Sequence, residues 1–288
     1  MLDVHADPDH NRSVVTLAGA PPPLVDGILA AGAKAVDLID LSLHAGAHPR
    51  LGAIDVIPFV PFPLSPTAPA SPTAPASPTA TASPPAPAEL AGSDFHAAVA
   101  ASLGCAERLW TELGIPSFLY EVSSRTDPQR RTSLPQVRRE AFKALQPDFG
   151  TPQAHPTAGA AVVGARRPLV AYNVNLDIGD LAAARQIATG LRNLPVRFVR
   201  ALAMPLTTRG LAQVSCNLTR PEVVTVADVF DFVLAIAHQL SVEIIDSEVV
   251  GLVPKGALGG RSPQSLRLAL QPKFIEECVE ECVTAARA

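Results

Sequence analysis

Residues 65–88 read SPTAPA, SPTAPA, SPTATA and SPPAPA, four six-residue units from which no folded core can be built. They carry no aromatic or large aliphatic side chain. Their frequent prolines remove backbone donors and favour extended polyproline geometry. At ~3.1 Å per residue the segment spans roughly 70 Å when extended. Any core must therefore come from the two flanking blocks. The segment reads as an inert insertion in a surface loop, because closure entropy grows slowly with loop length. A docking motif for a proline-reading domain is the weaker reading, since no arginine flanks the repeats.

In the flanking blocks, strand-like and helix-like patterns interleave. Short strands at 2–4 and 13–18 surround a polar turn, and Pro21-Pro22-Pro23 opens a helix with apolar spacing through Leu38. The run Ile54–Val60 is a strand in which Pro58 demands an edge or an end. Helices are predicted from Ser93 or Asp94 to Gly114, over 134–145, over 181–193 behind an Asp180 cap, over 225–240 and over 272–287. Strands are predicted at 117–122, AAVVGA, PLVAYNVNL, 196–204, 211–218 and VEIID. Several strands follow one another without an intervening helix. The fold class is therefore α/β (α+β) with mixed sheets.

Composition narrows the function. Charged residues are 17% of the chain and the formal net charge is −4. That balance lacks the basic excess of a nucleic-acid binder. The pairs Arg130/Arg131, Arg138/Arg139 and Arg166/Arg167 suit a small anion or, more plainly, a solvated face. No apolar run reaches the ~18–20 residues of a membrane span, and the charged N-terminus lacks a secretory apolar stretch, so the cytoplasm is expected. Four scattered cysteines do not make a disulfide framework. Cys278 and Cys282 share a helix face without further ligands nearby, and His5, Asp7 and His10 lie in one short turn with nothing to fix a third or fourth ligand. No metal is expected.

Two polar patterns remain. In AYNVNL, Asn173 and Asn175 lie on one strand face; in AQVSCNL, Gln213, Ser215 and Asn217 do the same. Neutral amides on such a face recognise an amide-bearing or pterin-like ligand without titrating, although a wet sheet face gives the same alternation. Histidine is sparse, yet His44 and His48 fall with Arg50 in one glycine-punctuated loop ahead of a strand. An imidazole there can exchange a proton near neutral pH, and the guanidinium can hold a carboxylate.

Taken in order, DVHADPDHNRSVVTLAG, VDLIDLSLHAGAHPRLGAIDVIPFVPF, PDFGTPQAHPTAGAAVVGAR, PLVAYNVNL, RGLAQVSCNL and VGLVP resemble the formiminotransferase domain, best known as the N-terminal part of the bifunctional formimidoyltransferase-cyclodeaminase. The resemblance covers nearly the whole chain. It implies two subdomains, 1–166 (carrying the 65–88 insertion) and 167–288, each a mixed β-sheet covered by helices on its outer side, with a ligand tunnel between them. The family's G-x-H-P-R-x-G motif is Gly46 to Gly52, which puts the catalytic role on His48. The folate-binding segment corresponds to Gly150, Thr151, Pro152, Gln153, Ala154, His155, Pro156, Thr157, Ala158 and Gly159. Arg50, Asn173 and Asn175 are substrate-binding candidates.

The implied reaction transfers a formimidoyl group from N-formimidoyl-L-glutamate to N5 of tetrahydrofolate, which is co-substrate, in histidine degradation and one-carbon metabolism. A formyltransferase using 5-formyltetrahydrofolate and a non-catalytic folate-binding module are the alternatives; a scaffold serving the proline repeats is more remote. The resemblance also implies self-association, possible as a homodimer, and a separate cyclodeaminase acting on the product. Three departures stand out. The family's first strand and helix, with V-P-N-F-S-E-G, precede the start of this chain, so the first sheet is expected either to lack a strand or to continue upstream of a misplaced start codon. An acidic family position is His5. The family's R-x-G-E-[FY] stretch appears as Arg138-Arg139-Glu140-Ala141-Phe142.

Overall fold

The computed structural model of the protein describes residues 1–7, 11–45, 49–62, 93–125, 132–177, 181–196 and 198–285. His10, His48, the repeat segment and the expected cap Asp180 lie outside the described residues. In chain order the elements are β1 (Asp3–Asp7), β2 (Arg12–Thr16), α1 (Pro21–Leu38), β3 (Val56–Phe59), α2 (Ser93–Leu113), β4 (Ser117–Leu119), α3 (Leu134–Glu140), β5 (Ala161–Ala165), β6 (Val170–Leu176), α4 (Leu181–Arg192), β7 (Val199–Leu206), β8 (Leu211–Leu218), α5 (Val226–Gln239), β9 (Ile244–Val250) and α6 (Ile275–Ala285).

The chain forms two compact units, Gly19–Arg167, and Met1–Ala18 together with Pro168–Ala288. The sequence reading assigns 1–166 to one subdomain. By contacts, Met1–Ala18 instead joins the later half. Its hairpin, β1 paired antiparallel with β2, is tied there by an ion pair of 2.6 Å from Lys273 Nζ to Asp3.

Unit Gly19–Arg167 is built on a parallel sheet in the order β3-β5-β4. Parallel strands are covered on both faces, which is why every residue of β5, AVVGA, is buried. Its alternation sends Ala161, Val163 and Ala165 toward α1 and α2, and Val162 toward Val137 of α3. Helices α1 and α2 meet closely at Gly32, where a Cβ would come within 2.8 Å of Ile54 and 3.2 Å of Leu113. Pro58 falls on edge strand β3, which needs no outward donor. Helix α3 stops at Glu140, short of the predicted end, because Ala141 turns to extended geometry and Phe142 takes a φ of 60°.

The other unit carries an antiparallel sheet in the order β7-β8-β6-β9. Parallel and antiparallel pairing are thus divided between the two main sheets instead of being mixed within each, since the strands of the second sheet are joined by links that allow antiparallel return. One face, with Tyr172, Val174, Leu176, Val214 and Leu218, packs on α4 and α5. Helix α5 begins at a reciprocal cap. Thr225 Oγ1 accepts from Asp228 N at 3.2 Å, and the Asp228 carboxylate accepts from Thr225 N at 2.8 Å. The opposite face of the sheet carries the amides.

Candidate functional site

The loop between α1 and β3 is held at both ends by the same short turn. Leu41 N donates to Thr157 O at 2.8 Å, Ala160 N donates to Leu51 O at 3.1 Å, and Ala53 N donates to Ala158 O at 2.9 Å. Between these anchors lies the G-x-H-P-R-x-G motif. The contact demands glycine on both sides. A Cβ on Gly52 would stand 2.1 Å from Ala160 O. One on Gly159, whose φ is 69°, would stand 2.2 Å from Leu51 O. Two segments far apart in sequence are therefore joined backbone to backbone.

The turn itself is closed by His155 N donating to Gly159 O at 2.8 Å and by the reverse bond at 3.0 Å. His155 Nδ1 accepts from Ala158 N at 3.0 Å. Its ring proton therefore sits on Nε2, and one ring nitrogen is already engaged. Before the turn, Gly150 to Ala154 form an exposed arch. Gly150 has a φ of 117°, and a Cβ there would lie 2.9 Å from Pro116 Cα and 3.3 Å from the Trp110 ring. The arch starts where only glycine fits. Asp148, just ahead, accepts from Leu119 N at 2.7 Å. Burial raises its carboxyl above the usual range.

The end of the histidine loop is fixed by a carboxylate. Asp55 Oδ1 accepts from Leu51 N at 2.6 Å, and its other oxygen accepts from the Arg138 guanidinium. At the start of the loop, Asp40 accepts from both the hydroxyl and the N–H of Ser42, at 2.7 and 2.9 Å, which lowers its pKa. The Arg50 guanidinium lies against the His44 imidazole. Of the predicted site residues, Arg50 and Gly150–Gly159 share this unit, whereas Asn173 and Asn175 belong to the other.

In that other unit the amides of β6 and Gln213 of β8 are buried. Asn173 Nδ2 donates to Glu248 Oε1 at 2.9 Å, and Asn175 Nδ2 to Asp246 Oδ1 at 2.5 Å. Gln213 Nε2 is shared between Asn175 Oδ1 at 3.0 Å and Glu248 Oε1 at 3.2 Å. Arg209 completes the row with a 2.9 Å bond to Asp246 Oδ2. Asn173, Asn175 and Gln213 are each no more than 3% exposed. These three form a buried polar layer, whereas Ser215 is half-buried and Asn217, further along the same face of β8, is exposed. The carboxylates that orient the amides are absent from the sequence reading. Their signal is nonetheless there: Asp246 and Glu248 alternate along β9, opposite Asn175 and Asn173.

Among the described residues, no three His, Cys, Asp or Glu side chains gather to hold a metal ion, and no helix is long and apolar enough to cross a membrane.

Comparison with known proteins covers most of the chain. Residues 1–77 and 86–166 match the N-terminal subdomain of the formiminotransferase domain, and residues 171–261 match the formiminotransferase domain. The unmatched stretch 78–85 falls inside the repeat segment. A glutamate formimidoyltransferase of Streptococcus pyogenes serotype M1 is 36% identical over 269 residues, 90% of this chain and 80% of that protein. One from Thermoplasma acidophilum is 34% identical over 272 residues, covering 90% of this chain and 79% of its own. The formimidoyltransferase-cyclodeaminase of Sus scrofa is 36% identical over 275 residues, 90% of this chain but 45% of its own length, so the chain spans less than half of that bifunctional relative. With both family descriptions met in series and relatives of one kind matched over most of their length, the chain is a transferase and belongs to the formiminotransferase family.

Proposed function

We propose that the protein transfers the formimidoyl group of N-formimidoyl-L-glutamate to N5 of tetrahydrofolate, releasing L-glutamate. The observation that supports this best is the junction of Leu41, Leu51 and Ala53 with Thr157–Ala160. It tethers the two ends of the His48 loop to the segment that would bind folate, Gly150–Gly159.

In the reaction, the N5 lone pair attacks the formimidoyl carbon to give a tetrahedral adduct. His48 takes the proton leaving N5 and delivers it to the glutamate nitrogen as the carbon–nitrogen bond breaks. Much of the acceleration comes from holding both reactants at attack distance. Arg50, two residues on, is the clamp for a substrate carboxylate. The Asp55–Arg138 pair holds Leu51 N and so fixes the loop's exit.

The test is turnover by the purified chain with N-formimidoyl-L-glutamate and tetrahydrofolate, followed by product absorbance. His48→Ala lowers kcat by about 10²- to 10⁴-fold, the usual contribution of general acid–base catalysis. Folate binding without turnover would make the chain a binding module instead. Arg50→Ala raises KM for N-formimidoyl-L-glutamate; an unchanged KM removes Arg50 from the clamp.

A further inference from the structure

Within unit Met1–Ala18 plus Pro168–Ala288, a cavity of about 310 Å³ opens between β1 and the polar face of the sheet, lined by His5, Asp7, Arg209, Gln213 and Glu248 among others. Its wall contains an unfinished hydrogen-bond row. Asp246 at one end is full, with Asn175 on one oxygen and Arg209 on the other. That bond turns the Asn175 oxygen toward Gln213, whose amide nitrogen is committed to it and to Glu248 Oε1. The orientation of Gln213 is thus dictated by acceptors on both sides. Its Oε1 is buried and has no hydrogen-bond partner among the described residues. Glu248 is unfinished in the same way: both amide donors reach Oε1, and these partners are neutral amides with no cation among them.

A buried acceptor left empty carries its full desolvation penalty, and a carboxylate served only by neutral donors favours a charged or strongly polarised N–H. We propose that this cavity recognises an amidine edge, two N–H groups on one carbon, with Glu248 Oε2 and Gln213 Oε1 as its acceptors. The inference rests on the proposed reaction for its natural ligands, since both substrates carry such an edge. One is the formamidine of N-formimidoyl-L-glutamate; the other is the 2-amino-4-oxopyrimidine ring of tetrahydrofolate.

The experiment measures binding by calorimetry in the full chain, for each substrate separately, in wild type, Glu248→Gln and Gln213→Met. The Glu248→Gln substitution keeps an oxygen for Asn173 and Gln213 but loses the charge and the second acceptor. Unfolding curves of all three proteins check folding. Weakening of one substrate by about 10- to 100-fold, with the other unchanged and Tm held, supports the site and names the source of the edge. Unchanged affinities overturn the proposal, and so does equal weakening of both substrates. Formamidine and 2-amino-4-hydroxypyrimidine serve as fragment probes that need no turnover. Saturable binding of either, lost in Glu248→Gln, upholds the cavity even if the transferase reaction fails. Active enzyme with Glu248→Gln indistinguishable from wild type defeats the cavity while leaving the reaction standing.

Discussion

The two main sheets solve the same problem with opposite chemistry. In the parallel sheet, β5 is buried on both faces and every residue is apolar or glycine, so its interior is held by packing and by backbone hydrogen bonds, with one buried hydroxyl, Ser123 Oγ, accepting from Ala165 N at 2.9 Å. In the antiparallel sheet, β6 is also buried along nearly its whole length, yet Asn173 and Asn175 occupy one face as completely as Tyr172 and Val174 occupy the other. Burial therefore does not identify an apolar position here. What separates the two cases is whether each polar atom has a partner, and in the second sheet the carboxylates of β9 supply most of them. The parallel sheet is intolerant of volume; the antiparallel one is intolerant of a lost partner.

The largest expected effect is in the parallel unit, where the backbones touch. Gly159→Ala places a methyl against Leu51 O in a backbone conformation that L side chains resist. It costs about 3–6 kcal/mol, overpacking and the strain of a non-glycine residue at positive φ taken together. Urea unfolding reads the loss, and tetrahydrofolate affinity should fall with it. Next comes a truncation beside β5, at Leu119, which is almost fully buried. Leu119→Ala costs about 2–5 kcal/mol, depending on how far the site collapses. The matched change in the antiparallel unit, Asn175→Leu, keeps the volume but takes away one of the two acceptors of Gln213 Nε2 and the donor to one Asp246 oxygen. A cost of about 1–3 kcal/mol is expected from the unpaired groups. A neutral result there would break the contrast, since the layer would then behave as ordinary core.

A smaller effect concerns Asp148. Its folded pKa lies above the unfolded value, chiefly through burial, so the folded state prefers the protonated acid. Its contribution to stability is full below the unfolded pKa and is lost as pH rises through the raised folded pKa. Asp148→Asn removes that titration while an amide oxygen can still accept from Leu119 N. The stability of the variant relative to wild type should therefore increase with pH across this window and level off above it, as read from unfolding midpoints over the acidic range. The smallest effect separates the cysteines. Burial pushes the Cys105 and Cys216 thiols up to about 12, one in each unit, whereas Cys282 is exposed. A maleimide should label Cys282 fast and the two buried thiols only on unfolding.

Much of this is legible without coordinates. The i, i+2 amides of β6 and β8 stand out in the sequence, because strand alternation is local. Pro58 points to an edge strand because a missing donor admits few positions. The unread parts depend on distant partners. Glu248 falls outside the predicted strand VEIID, and its role is defined by Asn173 and Gln213, 75 and 35 residues away. The hairpin's attachment depends on Lys273, and nothing near Asp3 announces it. Gly52 and Gly159 each read as loop punctuation, although together they are one contact. The family resemblance supplies His48 and the Gly150–Gly159 segment; periodicity alone leaves His44 and His48 equivalent.

The double anchoring of the histidine loop also bears on what happens when the chain is cut. Leu41 and Leu51 are bonded to Thr157 and Ala160. A nick between these two leucines therefore opens a ring and frees neither stump, so a clipped molecule should still migrate as one particle until a denaturant separates its fragments.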